Sequence, residues 1–285
     1  MHIIIGGTGH VGSGVASALL AAGEQVTIVT RDAARASAWR TRGAELAEAD
    51  VRDADALRKI LRQGRRAFVL NPPAEPSTDT DAVERSTVRS LVAALEGSGL
   101  EMVVAQSTYG ARPQGPCGDL NVLYELEQAL AAQPIPARIV RAAYHFENWD
   151  MALETARTQG FMESTLPLHR PIPMAAPADI GAVCAKLLLG GVGRGTDMAE
   201  GPRRYTPNEV ADVFEALLGK PIERREVPEA ELEAWFDGAG FSPAAARSYA
   251  CMTRAAAAGE WAEVGPVHRG STTLQAYFAP AVQAT

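Results

Sequence analysis

The sequence predicts a doubly wound α/β fold: a parallel sheet with helices on both faces and a smaller C-terminal lobe. Three observations carry this. Short apolar runs alternate with segments of helical periodicity six times between residues 3 and 140. A glycine cluster, GGTGHVGSG at residues 6–14, follows the first apolar run directly. The chain has 285 residues and 47% hydrophobic content, enough for one large α/β core with an extension.

The elements follow in order. Residues 3–5 read as a short apolar strand. Val11, Val15, Ala18 and Leu19 recur at helical spacing, and Gly23 supplies a stop. Residues 26–29 are strand-like, Asp32 suits a helix cap, and residues 44–49 offer a third strand. Leu57, Ile60 and Leu61 lie on one helix face, and residues 67–70 form the next strand, broken by Asn71-Pro72-Pro73. A helix through Val83, Val88, Leu91 and Leu95 leads to a strand at 102–105. A helix over 119–132 and a sixth strand at 137–140 complete the series. Beyond it lie a proline-rich crossover at 167–174, helices over 207–219, 228–238 and 243–258, and a strand near 222–227. We divide the chain into a nucleotide-fold domain, 1–141, and a mixed segment, 142–285. The latter holds a substrate-covering lobe, and its stretch of about 174–190 returns to the first domain.

Composition removes several classes of function. The net charge of −7, without a dense basic cluster, gives no nucleic-acid surface. No apolar run approaches the ~18 residues that span a membrane. The first residues do not read as a secretion signal. Cys117, Cys184 and Cys251 are widely spaced, odd in number and without a CxxC pair. They predict neither a metal site nor a disulfide framework, but three separate thiols in a reducing cytoplasm.

The spacing Gly6-xx-Gly9-xx-Gly12, between a strand and an amphipathic helix, is the pattern a dinucleotide requires in a Rossmann-type sheet. Gly6 permits a tight turn, Gly9 lets backbone approach a diphosphate, and Gly12 lets the helix pack closely. The amides of Thr8, His10 and Val11 join the cradle, helped by the helix dipole. An NAD site places an acid at the end of the second strand, where this chain has Thr30-Arg31-Asp32. A guanidinium at Arg31 matches a 2′-phosphate. Asp32 is the rival, as a ribose ligand or as a helix cap. NADPH is therefore expected over NADH.

The run GGTGHVGSGVASALLAAGEQVTIVTRD resembles the NmrA-like group of atypical short-chain dehydrogenases. That group includes triphenylmethane reductase-like and quinone reductase-like enzymes, as well as redox-sensing regulators. Further similar stretches are Asp50-Val51-Arg52-Asp53, Val69 to Pro73, Ile139 to Asn148, Ala178 to Gly181, and Gly201-Pro202 onward to Lys220. The resemblance covers most of residues 1–227. It implies that Asp50 and Val51 lie against the adenine. It also implies that Asn71, Pro72 and Pro73 pass behind the nicotinamide ribose.

The departures are informative. Ordinary short-chain dehydrogenases use Tyr-xxx-Lys for proton transfer. Here the lysines are Lys59, Lys186 and Lys220, and none lies four residues after a tyrosine. Aligning Glu127 with the family's helix glutamate puts Asp119 at the tyrosine position and Leu123 at the lysine position. The remaining hydroxyls near the nicotinamide end are Ser107, Thr108 and Tyr109, after the fifth strand. Tyr144, His145 and Asn148 follow the sixth. Tyr109 and His145 are the candidate proton donors. Thr108, Tyr109, Tyr144, His145 and Asn148 are candidate substrate contacts, and Ser107 is a candidate cofactor contact. Trp149, Met151, Phe161 and Met162 form either an apolar lid or the extension's own core.

Three functions stay open. The first is an NADPH-dependent reductase of a planar or conjugated electrophile such as a quinone, enone, imine or cationic dye. The second is a noncatalytic dinucleotide-sensing regulator. The third is a redox-neutral isomerase or cyclase on the same fold. The expected partner is a small molecule and the expected compartment the cytoplasm, for a monomer or homodimer.

Overall fold

The computed structural model describes residues 1–113, 115–259 and 261–283. In chain order its elements are β1 (His2–Ile5), α1 (His10–Ala21), β2 (Val26–Thr30), α2 (Ala38–Thr41), β3 (Glu45–Glu48), α3 (Ala54–Leu61), β4 (Arg66–Val69) and α4 (Thr80–Leu95). There follow β5 (Met102–Thr108), α5 (Asp119–Ala131), β6 (Ala137–Ala142), β7 (Tyr144–His145), α6 (Asp150–Gln159), β8 (Phe161–Ser164), β9 (Ile172–Ala175) and α7 (Pro177–Leu189). The chain closes with β10 (Gly195–Glu200), β11 (Arg204–Tyr205), α8 (Pro207–Leu218), β12 (Glu223–Glu226), α9 (Leu232–Gly238), α10 (Pro243–Ala258), β13 (Val267–Arg269) and α11 (Leu274–Gln283).

The main sheet has eight strands in the order β13-β10-β6-β5-β4-β1-β2-β3, all paired in parallel. Alternation along its strands builds two cores. Ile4, Ile28, Phe68, Val104 and Val140 face one side, under α1 and α7. Ile3, Ile5, Val69, Val103 and Ile139 face the other, under α3, α4 and α5. Burial on both faces explains why these strands read as continuous apolar runs. Helices α1 and α7 approach closely because Gly14 and Gly181 lie at their contact. A Cβ on Gly181 would come within 2.7 Å of Val11 O.

Two strands of this sheet escaped the sequence reading, β10 and β13, as did the short strands β7, β8 and β11 outside it. Buried charges hide β10 and β13. Asp197 accepts from Arg138 Nε at 2.9 Å and faces His268 Nε2 at 2.8 Å. Glu200 accepts from Arg269 at 2.7 Å. Their residues, GTDMAE and VHR, have no apolar run to announce a strand.

The lobe has its own core, with Phe146, Trp149, Met162, Phe214 and Phe278 buried together. Trp149 and Met162 therefore serve that core, while the Met151 side chain stands 79% exposed. The expectation of three separate thiols is corrected. Cys117 and Cys251 form a disulfide, with Cα atoms 5.2 Å apart, and Cys184 is buried and free. The bond ties the entry to α5 to the lobe helix α10. The partners are 134 residues apart, and only the docking of α10 brings them together. Among the described residues, no helix is long and apolar enough to cross a membrane, and no cluster suited to a metal occurs.

Candidate active site

The sheet order reverses between β1 and β4, so a crevice opens there at the C-terminal ends of the strands. The glycine loop floors it. Gly6 has φ +70°, and a Cβ there would strike Leu70. Gly12 sits so close to the turn that a Cβ would lie 2.2 Å from Gly6 O. A Cβ on Gly9 would meet only Gly6 O, at 3.4 Å. The loop is thus closed on the sheet side and open over Gly9. Gly9 is the N-cap of α1 and supplies no side-chain cap, so the first helix amides are left for an external acceptor. Thr8 and His10 are exposed on this loop, and Val11 is buried in the core beneath it.

At the end of β2, Arg31 is exposed. Asp32 accepts from the Arg35 amide at 3.0 Å, so it closes a turn well before α2 begins. Asp50 holds Arg52 through two bonds, at 3.1 and 2.7 Å, and the Arg52 bonds together with the nearby Arg31 charge bring its carboxyl down to about 2. Val51 is half-buried beside it.

Beyond β4 the loop passes through Asn71, Pro72 and Pro73. Both amide atoms of Asn71 are buried without a hydrogen-bond partner among the described residues. Three residues on, the Ala74 amide donates to Glu84 at 2.9 Å. Glu84 shares a hydrogen bond with Asp119 at the start of α5. Burial, then the Asp119 charge, pushes the Glu84 carboxyl up to about 8. Burial pushes Asp119 up as well.

Two expected hydroxyls are committed elsewhere. Ser107 donates to Glu127 at 2.5 Å, and Glu127 also accepts two bonds from Arg141, at 2.9 and 2.7 Å. A buried carboxylate needs these donors, so the serine side chain serves the β5–α5–β6 junction rather than the crevice. Tyr109 donates to Glu200 at 2.9 Å, and burial, reinforced by the Glu200 charge, pushes its phenol far up. This argues against Tyr109 as the proton donor. Thr108 Oγ1 lies 3.4 Å from the Tyr109 carbonyl oxygen and stays half-buried.

After β6, Tyr144 packs on Trp149 with ring centroids 6.0 Å apart. Burial pushes its phenol up to about 12, against a hydrogen bond with the exposed Asn148. His145 Nδ1 lies 3.0 Å from Glu147 Oε1, and His10 Nδ1 lies 2.5 Å from Glu147 Oε2. Burial opposes ionisation of Glu147, but the His145 hydrogen bond and the charges of both histidines outweigh it and hold the carboxyl below its usual range.

A model of the NmrA-like family matches residues 2–242. The chain belongs to the NmrA-like family. This NmrA-like protein is 26% identical over 224 residues to the NAD(P)H azoreductase of Xenophilus azovorans, covering 78% of the chain and 75% of the relative. It is 28% identical over 211 residues to the nitrogen metabolite regulation-like protein bik4 of Gibberella fujikuroi, covering 66% and 60%. In fold it is similar to the NADPH-dependent quinone oxidoreductase QOR2 of Escherichia coli, solved with NADPH. That match has TM-score 0.79 at 22% identity, over 100% and 99% of the two chains.

The crevice residues of this NmrA-like protein fit a dinucleotide. The cradle is one a Cβ at Gly9 would fill, and the next strand's loop carries the orphaned Asn71 amide. Sequence reasoning reached His10 and His145 separately but missed Glu147, which joins them. It also missed Glu127 as the partner of Ser107 and Arg141.

Proposed function

We propose that this protein is an NADPH-dependent reductase of conjugated or planar electrophiles, such as quinones, enones, imines or cationic dyes. The observation that carries the reading is an open dinucleotide cradle beside a crevice without a Tyr–Lys relay. Where that relay would stand, Asp119 is hydrogen-bonded to Glu84. A simple ketone would need a positioned donor, worth ~10²–10⁴-fold. A conjugated acceptor spreads the charge, so positioning carries more of the rate.

Bound NADPH would supply a hydride and leave as NADP⁺. The chain's own residues would bind and orient. Gly6, Thr8, Gly9, His10, Val11 and Gly12 would cradle the diphosphate. Arg31 would pair with the 2′-phosphate, favouring NADPH over NADH. Asp50 and Val51 would flank the adenine, and Asn71, Pro72 and Pro73 the nicotinamide ribose. Thr108, Tyr144, His145 and Asn148 would face the substrate, covered by the lobe within 142–285.

The test is NADPH oxidation against a panel of quinones, enones, imines, a cationic dye and an aliphatic ketone. Turnover of the conjugated acceptors, with the ketone slow, is expected. Efficient ketone reduction would overturn the restriction to conjugated or planar acceptors. The bik4 relative and the missing dyad favour a second reading, a dinucleotide sensor. Tight NADPH binding with no turnover on any acceptor would support that one.

A further inference from the structure

Three titratable side chains from two separate parts of the chain meet at the crevice. Glu147 sits in a single 3-10 turn, Phe146–Trp149, pinned on both sides because Phe146 and Trp149 are buried in the lobe core. One of its oxygens lies 3.0 Å from His145 Nδ1, and the other 2.5 Å from His10 Nδ1 on the glycine loop. His145 itself is fixed in β7, paired with Ala175 of β9. Its second ring nitrogen, Nε2, has no hydrogen bond within the described protein and is not among the buried unpartnered atoms. Other ionisable groups face the cluster from neighbouring elements: Asp119 from α5, Asp150 from α6 and Tyr277 from α11.

We infer that Glu147 is a positioning residue. It holds Nδ1–H of His145 and leaves Nε2 as the proton-giving atom in the crevice, while its second oxygen lies beside His10 of the glycine loop. The inference rests on the reductase reading for its catalytic half. A carboxylate on Nδ1 fixes the tautomer. When a proton leaves Nε2, the remaining imidazole already carries its hydrogen on Nδ1, so no tautomer change is needed. The proton balance is simple. A neutral acceptor that has gained a hydride is an anion. The Nε2–H bond breaks, an O–H bond forms on the acceptor, and the imidazole recovers its proton from water. A cationic acceptor is neutral after hydride delivery and needs no such proton.

The first measurement needs neither cofactor nor turnover. Nitrogen-15 NMR of the free protein, above the histidine titration range, reports which ring nitrogen of His145 carries hydrogen. Nδ1–H in the wild type, shifting toward Nε2–H in Glu147→Ala and retained in Glu147→Gln, is the expected result. An Nε2–H tautomer in the wild type, or no change in Glu147→Ala, overturns the inference. The second measurement is kcat and KM for a neutral quinone and for a cationic dye. Glu147→Ala should lower kcat for the quinone by ~10²-fold, the low end of acid–base effects, with a much smaller loss for the dye. Equal losses on both would mean a structural role only and overturn the proton-giving half. If the tautomer result holds and neither acceptor is reduced by the wild type, the reductase reading fails while the positioning by Glu147 stands.

Discussion

The Tyr109 hydroxyl donates to a carboxylate oxygen of Glu200 across 2.9 Å, joining the end of β5 to the end of β10. Glu200 is 2% exposed and also accepts from Arg269, so the phenol completes a buried charge network. Tyr109→Phe should therefore cost stability, near the low end of the ~1.5–3 kcal/mol for bonds to charged groups. Its effect on turnover should fall far below the ~10²–10⁴-fold of an acid–base residue. Urea midpoints and kcat, measured together, check this. A large kcat loss in a stable variant would restore Tyr109 as a donor.

Gly9 and Gly12 should respond oppositely to an added side chain. Gly9 has φ −86° and free space, so Gly9→Val should fold but lose dinucleotide binding. A Cβ on Gly12 would lie 2.2 Å from Gly6 O, so even Gly12→Ala should distort the turn and lower Tm. Circular dichroism with calorimetric titration separates the two. Binding retained in folded Gly9→Val would remove the loop from the site.

Arg31 is the test of cofactor choice. Arg31→Ala should weaken NADPH by ~1.5–3 kcal/mol, the range for charge-assisted bonds, and leave NADH nearly unchanged. Titration of both cofactors into both proteins measures it. Equal wild-type affinity for the two would refute the assignment.

Glu84 should make stability fall with rising pH. Its folded carboxyl is raised from 4.5 to about 8, so the folded state keeps a proton that the unfolded state releases. Stability is full below the unfolded value and is lost as pH climbs through this window. Glu84→Gln removes the penalty and can still accept from the Ala74 amide. It should raise Tm at pH 8 but not at pH 4, by ~2–4 °C for each kcal/mol recovered. Equal Tm shifts at both pH values would mean that Glu84 is not held protonated.

The disulfide should be worth ~2–4 kcal/mol, because it closes a long loop. Cys251→Ser, or reductant added to the wild type, should lower Tm accordingly. Thiol titration of the denatured wild type without reductant should find only Cys184. Three reactive thiols would show that Cys117 and Cys251 do not pair.

The sequence by itself determined what depends on neighbours along the chain. Strand alternation, helix periodicity and the glycine spacing are local, so the first six β-α units and the helix at 243–258 were legible residue by residue. The diphosphate cradle was legible for the same reason: its glycines are needed at fixed offsets from one strand and one helix. Only the tertiary structure decided which polar groups meet. Tyr109 is 91 residues from Glu200, and Cys117 is 134 from Cys251. Strand β10 was hidden because two of its four buried residues are Asp197 and Glu200, charges stabilised by arginines from other elements. Only folding placed Glu147 between His10 and His145. Burial of a charge is tolerated only where its partners converge, and that convergence follows from packing rather than from local pattern.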